Sequence, residues 1–484
     1  MKKFLSTLYF ILFIHSNVFA ERGYVEEFTE WVNTNELNEY LDTKSKDKKG
    51  PKFKDTMGKM QNFDWSKCDT FYKPSFCYDE NGLIKKDKRE EADKKIKYIY
   101  PLNFKIPDNW FDRIPWDVKP SQSRLLYWIF HLLEDDKGWS STGSKPSNEP
   151  FQFISELKPL DKEIKKKMEK TGLLSFLFFE NGKITIDEIT PKDKYGLLFN
   201  NQTKWTSASV GKSITSYVTG HAVCEGYIDN LDVKLSDWPL LKDTLFQDVT
   251  LIDLLNMAAG DQKFIKNHFR KDIGIKGRER NVNVNTIKHH MEGTFKGSKP
   301  KKNNYNYSNL NSNIILNYVW FKSNGDFQKI LDKVFKEKAR IENNVFFLKN
   351  NNRTVQNKYV VTDESGPLRY SFRATRYDYL RIAKAMMDDW QNDTCVGKYL
   401  KEINDRKISK NLKYPNKNTA YGFSKSYGGQ FHLNFPGFKD RNIFGLDGAY
   451  GQSILIDMDK SKIIVINAAH EGYNWHKIAL KRLK

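Results

Sequence analysis

Ser209 and Lys212 stand three residues apart in Ser207-Ala208-Ser209-Val210-Gly211-Lys212, where an apolar run begins. On a helix that spacing puts both side chains on one face. A serine hydroxyl attacks a carbonyl carbon only when a neighbouring base takes its proton. A lysine can be that base when burial and a helix N-terminus disfavour its ammonium form. A second group follows at Tyr307-Ser308-Asn309. A phenol can relay a proton between nucleophile and leaving group, and an amide can bind a substrate carbonyl. Neither pattern is rare alone: Ser45 and Lys48, Ser298 and Lys301, and Tyr414-Pro415-Asn416 repeat the spacings. Only Ser209 opens an apolar helix behind a predicted hairpin, and the order of the two motifs singles out this pair.

Several elements must position these groups. Leu173 to Phe179 and Ile184 to Ile189 are strand-like runs flanking Glu180-Asn181-Gly182-Lys183, a strong hairpin signal. The helix opened by Ser209 runs through Ile214, Val218 and Ala222 and stops before Gly226. From Asn230-Leu231-Asp232 and Leu251 to Met257 onward, to about Tyr399, the pattern predicts a largely helical region with loops. Gln452 to Asp457 and Lys462 to Ala469 form a second pair of strand-like runs, followed by a basic helix from Trp475. Strands at both ends with helices between them predict an α+β fold: one antiparallel sheet built from distant segments, flanked by helices, with an inserted helical lobe.

The chain opens Met1-Lys2-Lys3, continues with a short apolar run from Phe4 to Ile14 and reaches Val18-Phe19-Ala20, the pattern of a secretory signal cleaved after Ala20. Residues 1–20 are therefore read as the signal, 21–104 as a polar, lysine-rich extension and 105–484 as the catalytic domain. Location is expected to be periplasmic or secreted, with no integral membrane segment once the signal is removed. Four cysteines are too few for a disulfide framework. Cys68 and Cys77 are the expected bridge, and Cys224, in an apolar helical pattern, is expected to be a buried free thiol. The formal charge of +20 could attract anionic polymers, but its lysines are interspersed with acids and no aromatic-basic ribbon accompanies them. Nucleic acid is not an expected partner.

At these residues the chain resembles the beta-lactamase-related serine hydrolases: Ser209-Val210-Gly211-Lys212 and Tyr307-Ser308-Asn309 are similar to their S-x-x-K and Y-x-N pair. That superfamily includes class C beta-lactamases, D-alanyl-D-alanine carboxypeptidases, certain carboxylesterases and 6-aminohexanoate-dimer hydrolases. Trp110, Trp128, Phe130 and His131 are similar to the leading segment of the last branch, and Gly448-Ala449-Tyr450-Gly451-Gln452 to its glycine-rich strand. The resemblance covers about residues 105 to 484. It implies a nucleophile at the seam between sheet and helical lobe, catalytic roles for Ser209, Lys212 and Tyr307, and hydrolysis without metal or organic cofactor.

Asn309, Gly445, Asp447, Gly448 and Gln452 are the candidate substrate-binding residues, with the Ser209 N–H and the strand's backbone as oxyanion donors. One family element is absent. No K-T-G or H-x-G triad occurs, and Phe444-Gly445-Leu446-Asp447-Gly448 takes its place. Without that cation, a small-molecule ester or uncharged amide is the expected substrate rather than a penicillin or a D-Ala-D-Ala peptide. The alternative is a catalytically silent penicillin-binding-like protein that binds a cell-envelope partner. There is no G-x-S-x-G elbow. His470-Glu471 lacks a second histidine at position 474, and His289-His290 cannot point the same way, so no metal site is expected.

Overall fold

The computed structural model describes residues 141–159, 161–191, 199–269, 293–301, 304–349, 367–412, 418–469 and 472–484. The expected leader and extension, the segment around Trp110 to His131 and the expected Cys68–Cys77 bridge lie outside the described residues. Among those described, two sheets are present. The smaller contains β1 (Ser141–Ser144), β5 (Trp205–Thr206), β6 (Val345–Lys349) and β7 (Leu368–Ala374), in the order β1-β6-β7-β5. The larger contains β2 (Ile154–Ser155), β3 (Leu173–Glu180), β4 (Lys183–Ile189), β8 (Ile408–Ser409), β9 (Ser426–Gly428), β10 (Phe431–Leu433), β11 (Ile443–Gly448), β12 (Gln452–Asp457) and β13 (Lys462–Ala468). Its order is β2-β4-β3-β13-β12-β11-β10-β9-β8.

The predicted hairpin is β3–β4. Asn181 and Gly182 both take positive φ, 51° and 79°, as a two-residue turn that matches strand twist requires. β3 is apolar without alternation because both its faces are covered. Leu177 and Phe179 join the main core, while Phe176 and Phe178 join a second core with Ile164 and Met168 of α1 (Lys162–Lys170) and the C-terminal Trp475 and Ile478. Residues nearly 300 positions apart in sequence meet where β13 pairs antiparallel with β3, Ile464 opposite Phe178 and Ile466 opposite Phe176.

The helix α2 (Val210–Cys224) is buried along almost its whole circumference from Val210 to Ala222, its polar Lys212, Ser213, Thr215, Ser216, Thr219 and His221 included. Gly226, at φ 79°, ends it. Beside it run α3 (Leu251–Leu255), α4 (Gln262–Phe269), α5 (Asn309–Lys322), α6 (Phe327–Asp332), α7 (Arg376–Gln391) and α8 (Cys395–Asp405), with the short α9 (Ala420–Phe423) and α10 (Trp475–Ile478) later in the chain. The arrangement is the α+β fold the sequence predicts.

Two expectations are corrected. The region from 230 to 399 is not helical throughout, because β6 and β7 interrupt it; their phenylalanines Phe347 and Phe372 face each other across the pair and pack with Phe335. Cys224 is not a free thiol. It is bonded to Cys395, tying the end of α2 to the start of α8. The bond joins positions 171 residues apart, a pairing that local pattern does not reveal. No helix among the described residues is long and apolar enough to cross a membrane.

Candidate functional site

The small sheet delivers the chain to Ser209. Trp205 pairs with Ala374 and Thr206 with Arg373, after which Ser207 closes the strand by donating its N–H to Phe372 O (2.7 Å) and accepting the Phe372 N–H at its Oγ (2.8 Å). Ala208 then turns through φ 45°, a left-handed conformation costly for a residue with a Cβ, and Ser209 caps α2. Such strain persists only where the surroundings over-determine it, and the Ser207–Phe372 clamp does so. The Ser209 side chain makes no capping bond, so its hydroxyl remains available for other chemistry. Among the described residues its N–H finds no backbone acceptor.

One turn later, Lys212 extends its amine back along the helix. Nζ lies 2.9 Å from Ser209 Oγ and 2.5 Å from Asn309 Oδ1, and the residue is 1 % exposed. No carboxylate among the described residues pairs with it. Burial alone holds its pKa well below 10.5, because moving an ammonium out of water without an anion disfavours the charged form. Asn309 opens α5, whose later asparagines fasten the neighbouring strand: Asn313 Oδ1 accepts the Tyr370 N–H (2.9 Å), and Asn317 bonds both backbone groups of Leu368.

Tyr307 sits half-buried with its hydroxyl toward Ser209. Desolvation pushes its pKa well above 10, and the hydrogen-bonding influence of Ser209 pulls it back. Its ring lies 4.8 Å from Lys212 Nζ and meets the ring of Tyr421 edge-on at 5.2 Å. Tyr305, Tyr427 and His432 complete an aromatic wall. His432 is held neutral, its pKa pushed well below 6.5 chiefly by burial.

The strand β11 lines the other side. A Cβ on Gly448 would stand 2.5 Å from Ser207 O and 3.1 Å from Ser209 N, so only glycine lets this strand pass the Ser209 amide at that distance. Gly445 is packed beneath the ring of Phe435. Asp447 accepts the Tyr421 N–H at 2.8 Å and so anchors α9. Gln452 is 2 % exposed and turned into the sheet, donating to Ala468 O and accepting from Asn467 Nδ2. The candidates therefore divide: Ser209, Lys212, Tyr307, Asn309 and Gly448 come together, whereas Gly445, Asp447 and Gln452 brace the strand beside them.

Sequence reasoning missed four residues here, namely Tyr370, Tyr421, His432 and Lys410. Lys410 is the nearby cation, buried beside Asp447, but it points inward, donating to Tyr421 O and to Ser424 Oγ (2.7 Å). Burial, with a smaller push from Lys425, lowers its pKa to about 7 against the opposing attraction of Asp447. None of the four carries a local signal; each arrives on an element whose place is set by distant contacts.

A family model described as beta-lactamase matches residues 160–483. Similar solved structures include a 6-aminohexanoate-dimer hydrolase from Bacillus anthracis, 16 % identical, covering 73 % of this chain and 93 % of that one with a TM-score of 0.50. Another is the octameric penicillin-binding protein homologue from Pyrococcus abyssi, 16 % identical, covering 67 % of this chain and 76 % of that one with a TM-score of 0.45. At these identities the likeness is one of fold. No curated protein matches the chain.

Proposed function

Because the chain belongs to the beta-lactamase family, we propose that it is an exported serine hydrolase that opens an ester or an uncharged amide through an acyl-enzyme on Ser209. The observation that carries the reading is the amine of Lys212, buried, unpaired by any carboxylate among the described residues, and 2.9 Å from Ser209 Oγ. Neutral Lys212 takes the hydroxyl proton as Ser209 attacks the carbonyl carbon, and Asn309 holds the resulting ammonium. The oxyanion collects negative charge beside the Ser209 N–H and the β11 backbone near Gly448. Tyr307 relays that proton from the Lys212 ammonium to the departing alcohol or amine, leaving Lys212 neutral again. Water then attacks the acyl carbon, releasing the acid and regenerating Ser209.

The lining of the cleft supports neutral substrates. Its tyrosines and His432 are uncharged, and the buried Lys410 donates inward to α9 and is not offered to a substrate carboxylate. Export is supported by the leader-like first 20 residues and by the Cys224–Cys395 bond, a cross-link suited to an oxidising compartment.

The test is labelling of the purified protein with a fluorophosphonate and with a penicillin, followed by mass spectrometry of the adduct. A fluorophosphonate adduct on Ser209 that vanishes in Ser209→Ala is expected; labelling that survives in the folded variant refutes the assignment. Comparing kcat/KM for a neutral p-nitrophenyl ester, a chromogenic cephalosporin and a D-Ala-D-Ala peptide tests the substrate class. The ester should lead, and a preference for either carboxylate-bearing compound would overturn that part of the proposal.

A further inference from the structure

Tyr370 lies in the middle of β7, a strand with no motif of its own, yet three separate features fix it over the catalytic amine. Lys212 Nζ stands 3.6 Å from the centroid of the Tyr370 ring, nearer than to the ring of Tyr307. The backbone approach that makes this possible depends on Gly211, where a Cβ would come within 2.0 Å of Tyr370 O, inside any van der Waals limit. The Tyr370 N–H is held by Asn313 Oδ1 at 2.9 Å. Glycine on the nucleophile helix, asparagine on α5 and the strand between them thus converge on a single ring position.

We infer that the ring of Tyr370 is a positioning residue for the general base, its π face cradling the Lys212 ammonium that forms when Ser209 gives up its proton. This rests on the proposed acylation of Ser209 and adds to it the group that stabilises the charge produced. The face of an aromatic ring attracts a cation through its quadrupole, most strongly where water is excluded. It offers nothing comparable to the neutral amine, so its effect grows as proton transfer proceeds. Burial and the ring pull the amine in opposite directions. Desolvation moves a fully buried lysine by up to about 3 to 5 pH units, whereas one ring recovers on the order of one unit, so burial wins and the amine gives up its proton more readily than an exposed lysine. The ring softens the cost of charging it without admitting water or supplying a permanent anion, which would leave the base protonated at rest.

The experiment compares Tyr370→Phe, which keeps the π face, with Tyr370→Leu and Tyr370→Met, which fill similar space without one. Lys212 is titrated directly by NMR of 13Cε-labelled lysine, its resonance assigned by absence in Lys212→Met. Fluorophosphonate acylation of Ser209 is followed across pH in parallel. In the Leu and Met variants the Lys212 titration and the acid limb of acylation should both move down by about one pH unit, and acylation at the plateau should fall about tenfold. Tyr370→Phe should keep the wild-type titration. Unmoved titration in both non-aromatic variants overturns the inference, as does a Phe variant that shifts as far as Leu, which would place the effect in the hydroxyl. The NMR titration needs no turnover, so it stands or falls separately from the hydrolase reading, whose own test is labelling of Ser209.

Discussion

Two of the places where the described residues bury charge-bearing groups treat them in opposite ways. At the start of α7, Asp378 is fully buried and every direction around it is answered. It accepts from Thr375 Oγ1, from the N–H groups of Glu342 and Asn343, and from Arg381 Nη1 at 2.9 Å, while Arg381 also reaches Glu342 Oε2 and Phe151 O. At the start of α2, Lys212 is equally buried but meets only a hydroxyl, an amide oxygen and aromatic faces. Compensation makes the first group a fixed part of the scaffold. Withholding an anion from the second leaves it able to exchange a proton, which a fully paired ammonium cannot do. A buried charge with a complete set of partners signals architecture; one left short signals chemistry.

Lys212→Arg puts the largest strain on this contrast, since a guanidinium stays protonated and cannot serve as base. Its kcat/KM should fall by about 10³-fold or more, close to Lys212→Ala. Near-normal turnover would make Lys212 a structural cation like those of the other cluster. Asp378→Ala should do the reverse. Leaving Arg381 short of its buried partner should lower unfolding free energy by about 3 to 5 kcal/mol in urea titrations, while activity per folded molecule stays near wild type. A stable but inactive Asp378→Ala would erase the distinction between the two regions.

The smallest effect concerns stability against pH in Lys212→Met. With the folded pKa of Lys212 held below 10.5, the unfolded chain binds a proton that the folded one lacks throughout the interval between the two values. Stability of the wild type therefore rises with pH across that interval, and the penalty is complete below the folded pKa. Lys212→Met lacks this dependence, so at pH 7 it should be more stable by about 1 to 2 kcal/mol, with the gap closing as pH approaches 10.5. An unchanged gap at pH 7 and pH 10 would mean the amine is charged in the folded protein.

What the sequence made legible was whatever depends on neighbours. Asn181-Gly182 announces its hairpin because both residues accept positive φ, and Ser209 with Lys212 announce a shared face because the helix repeat is short. The order of Tyr307-Ser308-Asn309 after them was also readable, as were the flanking pairs of strands. The rest depends on pairing across the fold. Tyr370 reaches Lys212 only after β7 has docked on β5 and on the asparagines of α5. The meaning of Gly211 is invisible until the Tyr370 carbonyl is seen against it. Asp447 was expected to face the substrate, yet it bonds the Tyr421 N–H, a partner contributed by a turn 26 residues away in sequence. Cys224 looked like a thiol because its apolar surroundings gave no sign of Cys395.

That last bond divides the cleft by connectivity as well as by space. The covalent ring it closes holds Tyr307, Asn309 and Tyr370, whereas Ser209, Lys212 and Gly448 belong to the two open arms. A single backbone cut anywhere between Cys224 and Cys395 opens the ring without releasing a fragment, so Ser209 and Tyr307 remain in one molecule. The same cut in either arm has no such protection. In a protease-rich surrounding, the inserted lobe is thus the part of this protein that can be nicked and still kept.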